Sequence, residues 1–188
     1  MKITGGHLKG RSLYTPQRKS FSIRPLRSRI RKALFDILGH DLTHIKVLDL
    51  FSGTGALGFE ALSRGAEFTL FVDASPQSIS LIKKNLLHLD LTEKALIKNW
   101  KLPQDLSKLK DYALKRGITF DIVFITPPYE SGLSLRTLES LPREILKRGA
   151  IIMVEERATV VLPERVLDFS LRDKRIYGET AIYFYTYG

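Results

Sequence analysis

The sequence predicts an α/β protein, a mostly parallel seven-stranded sheet with helices on both faces, preceded by a small basic hairpin extension. Three observations carry this. Short apolar runs alternate with amphipathic helical patterns, the arrangement of parallel strands joined by crossover helices. The runs are almost continuously apolar, as strands buried on both faces must be. Thirdly, the first 32 residues stand apart in charge: they hold 10 of the 30 basic residues, and no acid precedes Asp36.

Taken in order, residues 1–14 (MKITGGHLKGRSLY) alternate apolar and polar around Gly5-Gly6 and Gly10, which predicts a short hairpin with glycine turns. Residues 15–24 read as a basic, irregular loop. A helix is expected from Pro25, with Ile30, Ala33, Leu34, Ile37 and Leu38 at three- and four-residue spacing and Gly39 as its stop. The chain therefore divides into a basic extension over 1–24 and a main domain over 25–188. Strand signals follow at 45–50, 68–73, 95–98, 120–126 and 150–156, with helical patterns between them at 55–65, 76–89, 104–116 and 133–148. The stretch 166–187 is dense in aromatics and reads as two further strands in an antiparallel hairpin.

The composition, 44% hydrophobic and 27% charged, belongs to a globular chain with a sizeable core. No run reaches the ~18 apolar residues of a membrane span, and a soluble cytoplasmic protein is expected. The absence of Cys excludes disulfides, thiolate nucleophiles and cysteine-ligated metals, and His7, His40, His44 and His88 are scattered, so no metal site is expected. Outside residues 1–32 the remaining 20 basic and 20 acidic residues cancel, so the N-terminal sixth carries the whole net charge of +10. Such a localised excess is the footprint of a polyanion-binding surface. Lys9, Arg11, Arg24, Arg27 and Arg31 are its candidate contacts.

Two motifs carry chemistry. Asp49-Leu50-Phe51-Ser52-Gly53-Thr54-Gly55-Ala56-Leu57-Gly58 ends the first strand and enters a helix, and its glycines satisfy G-x-G-x-x-G. By itself this spacing also permits a nicotinamide cofactor. Asp73, about 20 residues on, ends the second strand, where a carboxylate can accept from both ribose hydroxyls of any adenosine cofactor. Asp49 places a negative charge beside the loop, which would oppose a pyrophosphate and suits the cationic amino-acid end of S-adenosylmethionine.

The second motif, Thr126-Pro127-Pro128-Tyr129, follows the fourth strand at the sheet's carboxyl edge, where ligands of open α/β folds bind. Two prolines fix the backbone and remove two amide donors. The carbonyls left can accept from an NH₂ group. Methylating an exocyclic base amine requires such acceptors, because the nitrogen lone pair must be drawn out of conjugation towards the methyl donor. The Thr126 hydroxyl and Pro127 carbonyl are the expected acceptors, with Tyr129 stacking on a flipped-out base.

With these motifs in place, the chain resembles the bacterial small-subunit ribosomal RNA guanine-N2 methyltransferase family. The likeness runs through Ile3-x-Gly5-Gly6 with Lys9-Gly10-Arg11, the Arg24-Pro25 helix, the Asp49 to Gly58 loop with Glu60-Ala61, Ser63-Arg64-Gly65-Ala66, Asp73, Asn85 and Pro127-Pro128-Tyr129. It implies a class I (Rossmann-like) methyltransferase domain over 25–188 and an RNA-binding extension over 1–24. It also implies methyl transfer from S-adenosylmethionine to N2 of a guanine, that at position 966, in 16S rRNA or the small ribosomal particle, by a monomer. The cofactor residues it implies are Asp49, Phe51, Gly53, Gly55, Asp73 and Asn99, the last near the adenine.

One position departs from the pattern. The family's usual residue before Pro-Pro-Tyr is Asp or Asn, whereas Thr126 offers a shorter and weaker acceptor. A catalytically impaired RNA- and cofactor-binding homologue therefore stands as an alternative, as does a DNA adenine-N6 methyltransferase, which the same acceptor geometry would serve.

Overall fold

The computed structural model describes residues 1–16 and 28–188. Arg24, Arg27, the start of the helix expected from Pro25 and the boundary drawn at 24/25 lie outside the described residues. The chain forms two compact units, Met1–Asn99 and Trp100–Gly188.

The first unit contains α1 (Ser28–Leu38), β1 (Lys46–Leu50), α2 (Ala56–Ser63), β2 (Phe68–Asp73), α3 (Pro76–Leu89) and β3 (Ala95–Asn99). β1 pairs β2 and β2 pairs β3, both parallel, so the order is β3-β2-β1. Apolar residues dominate each strand, and Val47, Leu48, Leu70, Phe71 and Val72 are fully buried. α3 begins where the sequence says it should: the Ser75 hydroxyl accepts from the Ser78 N–H (3.3 Å) and Pro76 opens the first turn.

Before α1, the hairpin expected over 1–14 shrinks to one antiparallel bridge, Lys2 with Ser12. It is closed by the Ile3 N–H to the Arg11 carbonyl (3.0 Å) and the Leu13 N–H to the Met1 carbonyl (2.7 Å). The residues between are spent on a turn that docks on α2. The His7 N–H donates to the Ser63 carbonyl (2.7 Å), and a Cβ on Gly6, at φ +75°, would lie 1.8 Å from that same oxygen. Only glycine lets the arm approach so closely. Further along, the Asn85 side chain accepts from the Tyr14 N–H (2.7 Å) and donates to the Tyr14 carbonyl (3.1 Å), tying the arm to α3.

Glu60, buried in α2, is the centre of this attachment. Its carboxylate accepts from the Thr4 N–H (3.0 Å) and hydroxyl (2.7 Å) and pairs with both Arg31 and Arg64 (3.2 Å each). Arg31 therefore does not belong to the basic face. It is only 1% exposed, and beyond Glu60 it donates to the Lys2 carbonyl (2.5 Å). Arg29 and Lys32 are among the exposed positions of α1, three residues apart on the helix surface.

The second unit contains α4 (Leu106–Lys115), β4 (Phe120–Ile125), α5 (Leu133–Ser140), β5 (Leu146–Arg157), β6 (Arg165–Val166), β7 (Phe169–Tyr177) and β8 (Thr180–Tyr187). β4 and β5 are parallel, β8 joins β5 antiparallel, and β7 and β6 continue the antiparallel edge. Among the described residues the two units hold eight strands where seven were expected. The extra one is β6, two residues too short to register as a pattern. The helix expected over 133–148 stops at Ser140, because Pro142 holds Leu141 in an extended conformation (ψ 121°). β5 correspondingly starts four residues early, with an irregularity in its pairing around Lys147-Arg148-Gly149.

Candidate functional site

The cofactor candidates all lie in the first unit and the base-holding candidates all lie in the second. In the first, β1 delivers Asp49 and Phe51 to the head of the glycine loop. Phe51 takes a left-handed conformation (φ 58°), uncommon for a bulky residue, and turns the chain out of the strand. Ser52 then stitches the loop to β2: its N–H donates to the Val72 carbonyl (3.1 Å), and its hydroxyl accepts from the Val72 N–H (2.9 Å). Gly53 and Gly55 both adopt positive φ (54° and 75°), and Gly55 caps α2. The third glycine of the motif has a packing role. A Cβ on Gly58 would sit 2.2 Å from the Phe71 ring, so its absence lets α2 lie close on β2.

Asp73 sits at the tip of β2 with each carboxylate oxygen held by a backbone N–H, Oδ2 by Gly53 and Oδ1 by Ser75 (2.8 Å each). This orients the group while leaving lone pairs on both oxygens for further donors. Asn99, at the tip of the adjacent strand, donates its amide to the Asp73 carbonyl (2.9 Å) and is exposed. Asp49 is almost fully buried, and its Oδ2 accepts from the Gly58 N–H (3.1 Å) in the first turn of α2. Burial pushes its carboxyl well above the ordinary range. The Gly58 N–H opposes that and the neighbouring Asp73 charge adds to it.

Two acids, Asp49 and Asp73, thus stand at the loop and the strand tip beside it. That pair of acceptors fits an adenosine ribose and a cationic amino-acid group, and it is ill suited to a pyrophosphate. Among the described residues no cluster of His, Asp or Glu could hold a metal ion.

In the second unit, Thr126 is half-buried directly after β4, Pro127 is buried, and Pro128 is exposed. The Ser131 hydroxyl donates to the Pro128 carbonyl (2.6 Å) and helps shape the turn. Tyr129 is half-buried. Its hydroxyl donates to Glu155 Oε1 (2.5 Å) and lies 2.9 Å from the Thr180 hydroxyl. Next to Glu155, the fully buried Glu156 accepts from the Glu130 N–H (3.1 Å) and the Ser134 hydroxyl (2.5 Å). Burial lifts Glu155 to about 6, with the Tyr129 bond opposing and the Glu156 charge adding.

Sequence reasoning did not single out Glu155 or Glu156, and it named Glu60 only within the family motif, without a role. The signal available was an acid inside an apolar stretch: Glu60 in ALGFEALS and the acid pair closing LKRGAIIMVEER. Lys9 and Arg11 are exposed, with the Arg11 guanidinium donating to the His88 carbonyl (3.3 Å).

Parallel strands carrying a glycine loop and an acid at the next strand tip, with the antiparallel β5-β8-β7 edge, define a class I S-adenosylmethionine-dependent methyltransferase fold. The chain belongs to the family described as "Conserved hypothetical protein 95", whose model matches residues 1–186. It is 35% identical to "Putative rRNA methyltransferase YlbH" of Bacillus subtilis, over 98% of both chains. It is 30% identical to "Ribosomal RNA small subunit methyltransferase D" of Escherichia coli K12, over 98% of this chain and 89% of that one. Among solved structures, "Putative methyltransferase yhhF from Escherichia coli" superposes with a TM-score of 0.81 at 30% identity, covering 100% of this chain and 97% of the other. This is the family to which the sequence motifs pointed. No helix among the described residues is long and apolar enough to cross a membrane.

Proposed function

We propose that the protein methylates the exocyclic N2 of a guanine in 16S rRNA, at the position numbered 966, using S-adenosylmethionine. The observation that carries this reading is the Thr126-Pro127-Pro128-Tyr129 turn at the carboxyl end of β4, in a chain whose glycine loop is lined by acids. When bound, S-adenosylmethionine supplies a methyl group on a positively charged sulfur.

Asp73, pre-oriented by Gly53 and Ser75, accepts from the ribose hydroxyls, and Asn99 stands beside it for the adenine. Asp49 balances the charge of the methionine amino group, and Phe51, Gly53 and Gly55 shape the loop around the cofactor. Thr126 Oγ and the Pro127 carbonyl accept the two N–H bonds of the base amine. That pulls the nitrogen lone pair out of conjugation and aims it for in-line attack, so that most of the rate comes from proximity and orientation. Transfer would break the methyl–sulfur bond, leaving the cofactor as a neutral thioether, and the methylated nitrogen would lose one proton to solvent, while Tyr129 holds the base by stacking. Lys9, Arg11 and residues 15–24, with Arg24, and Arg27 beyond them, form the basic extension that holds the RNA backbone.

Methyl incorporation from labelled cofactor into 16S rRNA or small-subunit particles lacking the mark tests this. The wild-type chain incorporates label, and Thr126→Asp, which restores a stronger acceptor, raises kcat severalfold. Label entering only with Thr126→Asp would reduce the wild-type chain to a binding protein.

A further inference from the structure

We propose that Glu155 is a positioning residue: its carboxylate, with the Thr180 hydroxyl, sets the tilt of the Tyr129 ring. The inference rests on the reading above, in which that ring stacks on the target base. Pro127 and Pro128 stiffen the backbone leading to Tyr129 but do not themselves set its side-chain torsions. The hydroxyl at the far end of the ring is the lever by which those torsions can be fixed. It is held from two strands at once, by Glu155 of β5 (2.5 Å) and Thr180 of β8 (2.9 Å). The two strands are locked in antiparallel register, with Glu155 opposite Ile182 and Arg157 opposite Thr180. The two oxygens thus form a rigid fork.

The choice of a carboxylate is itself informative. Glu155 is 8% exposed and stands beside the fully buried Glu156, an arrangement that costs desolvation and like-charge repulsion. A tyrosine needing only an acceptor would be served by a neutral side chain. A carboxylate makes the shorter, stronger and more directional bond. The charged neighbours on β5 are Glu156 and, one residue on, Arg157, itself held by Glu130 (3.0 Å) and Glu179 (3.7 Å), while β8 contributes only the uncharged Thr180. Glu156 acts on the same turn from the other side, holding the Glu130 N–H and Ser134. One acid fixes the ring and the next fixes the backbone that leaves it.

The test uses the full-length protein, with methyl transfer to 16S rRNA and NMR of labelled tyrosine rings as separate readouts. Glu155→Ala lowers kcat about tenfold, the loss of one charge-assisted hydrogen bond in an orientation-dependent step, while KM for RNA and cofactor Kd stay within about twofold. Glu155→Gln, whose neutral amide oxygen accepts a weaker and less directional bond, recovers only part of that loss. It also abolishes the wild-type decline in kcat as pH falls through about 6. In a Tyr129→Phe background Glu155→Ala costs nothing further. By NMR, the wild-type Tyr129 resonance titrates over that same pH range and the Glu155→Gln resonance does not. Equal losses from Glu155→Ala in both backgrounds, or a Tyr129 resonance indifferent to Glu155, would overturn the proposal. Normal methylation by Tyr129→Ala would instead remove the stacking reading, and the NMR arm would still decide whether Glu155 holds the ring.

Discussion

Asp49 illustrates what a single side chain can and cannot reveal in advance. Its place at the tip of the first strand is legible from the apolar run that precedes it. Its surroundings are not, because they depend on Gly58 nine residues on and on Asp73 one strand away. The carboxyl is held by one backbone N–H in an otherwise dehydrated setting, so ionising it costs the folded chain free energy that a bound cation would offset. A folded-state value raised above the ordinary 3.8 means that the native protein binds the extra proton, and stability falls as pH rises above that value. Asp49→Asn therefore raises the urea midpoint of the cofactor-free protein at pH 7 and leaves it little changed at pH 3, where both states are protonated. The same change weakens S-adenosylmethionine binding roughly tenfold or more by calorimetry, since a charge opposite the cofactor's cation is gone. Stability gained and binding lost together mark a functional carboxyl. A midpoint that moved equally at both pH values would show a purely structural one.

Helix α2 explains how eight residues can serve two purposes. Its first turn donates Gly58 N–H to Asp49, and its last turn and Glu60 receive the N-terminal arm. Most of the elements themselves were readable: β2 and α3 fall where the pattern puts them, since a continuous apolar run and a helical pattern are local properties. The long helix assigned to 133–148 and the missing two-residue β6 show where local patterns fail, at a proline whose effect reaches back one residue and at a strand too short to have a period. The Glu60 hub lay beyond sequence reasoning for another reason. Its partners come from residues 4, 31 and 64, and no spacing rule links them. Removing this carboxylate leaves two buried guanidinium groups without their shared anion, so Glu60→Ala costs about 3–5 kcal/mol of unfolding free energy. Chemical denaturation measures it. A cost below about 1 kcal/mol would mean that the arm is not fastened through this residue.

For the molecule as a whole, the charge asymmetry was visible from the start, yet which arginines carry it depended on burial. Arg31 was selected with its neighbours because a list of basic residues has no inside or outside, and the fold turns it inward while leaving Arg29 and Lys32 in solvent. Neutralising Arg29 and Lys32 together therefore weakens RNA binding and lowers the slope of log affinity against log salt by about one to two, since each phosphate contact contributes close to one. Arg31→Ala instead lowers the unfolding midpoint, and a reduced salt slope from that variant in its folded state would reverse the assignment. The central claim is more specific than RNA binding: the chain moves a methyl group onto one guanine amine. Mass mapping of methylated guanines in 16S rRNA, from cells with and without this protein, tests it most directly. The expected result is a single N2-methylguanine, at position 966, present only with the protein. An unchanged map, or a mark that appears on an adenine or in another RNA, would contradict it.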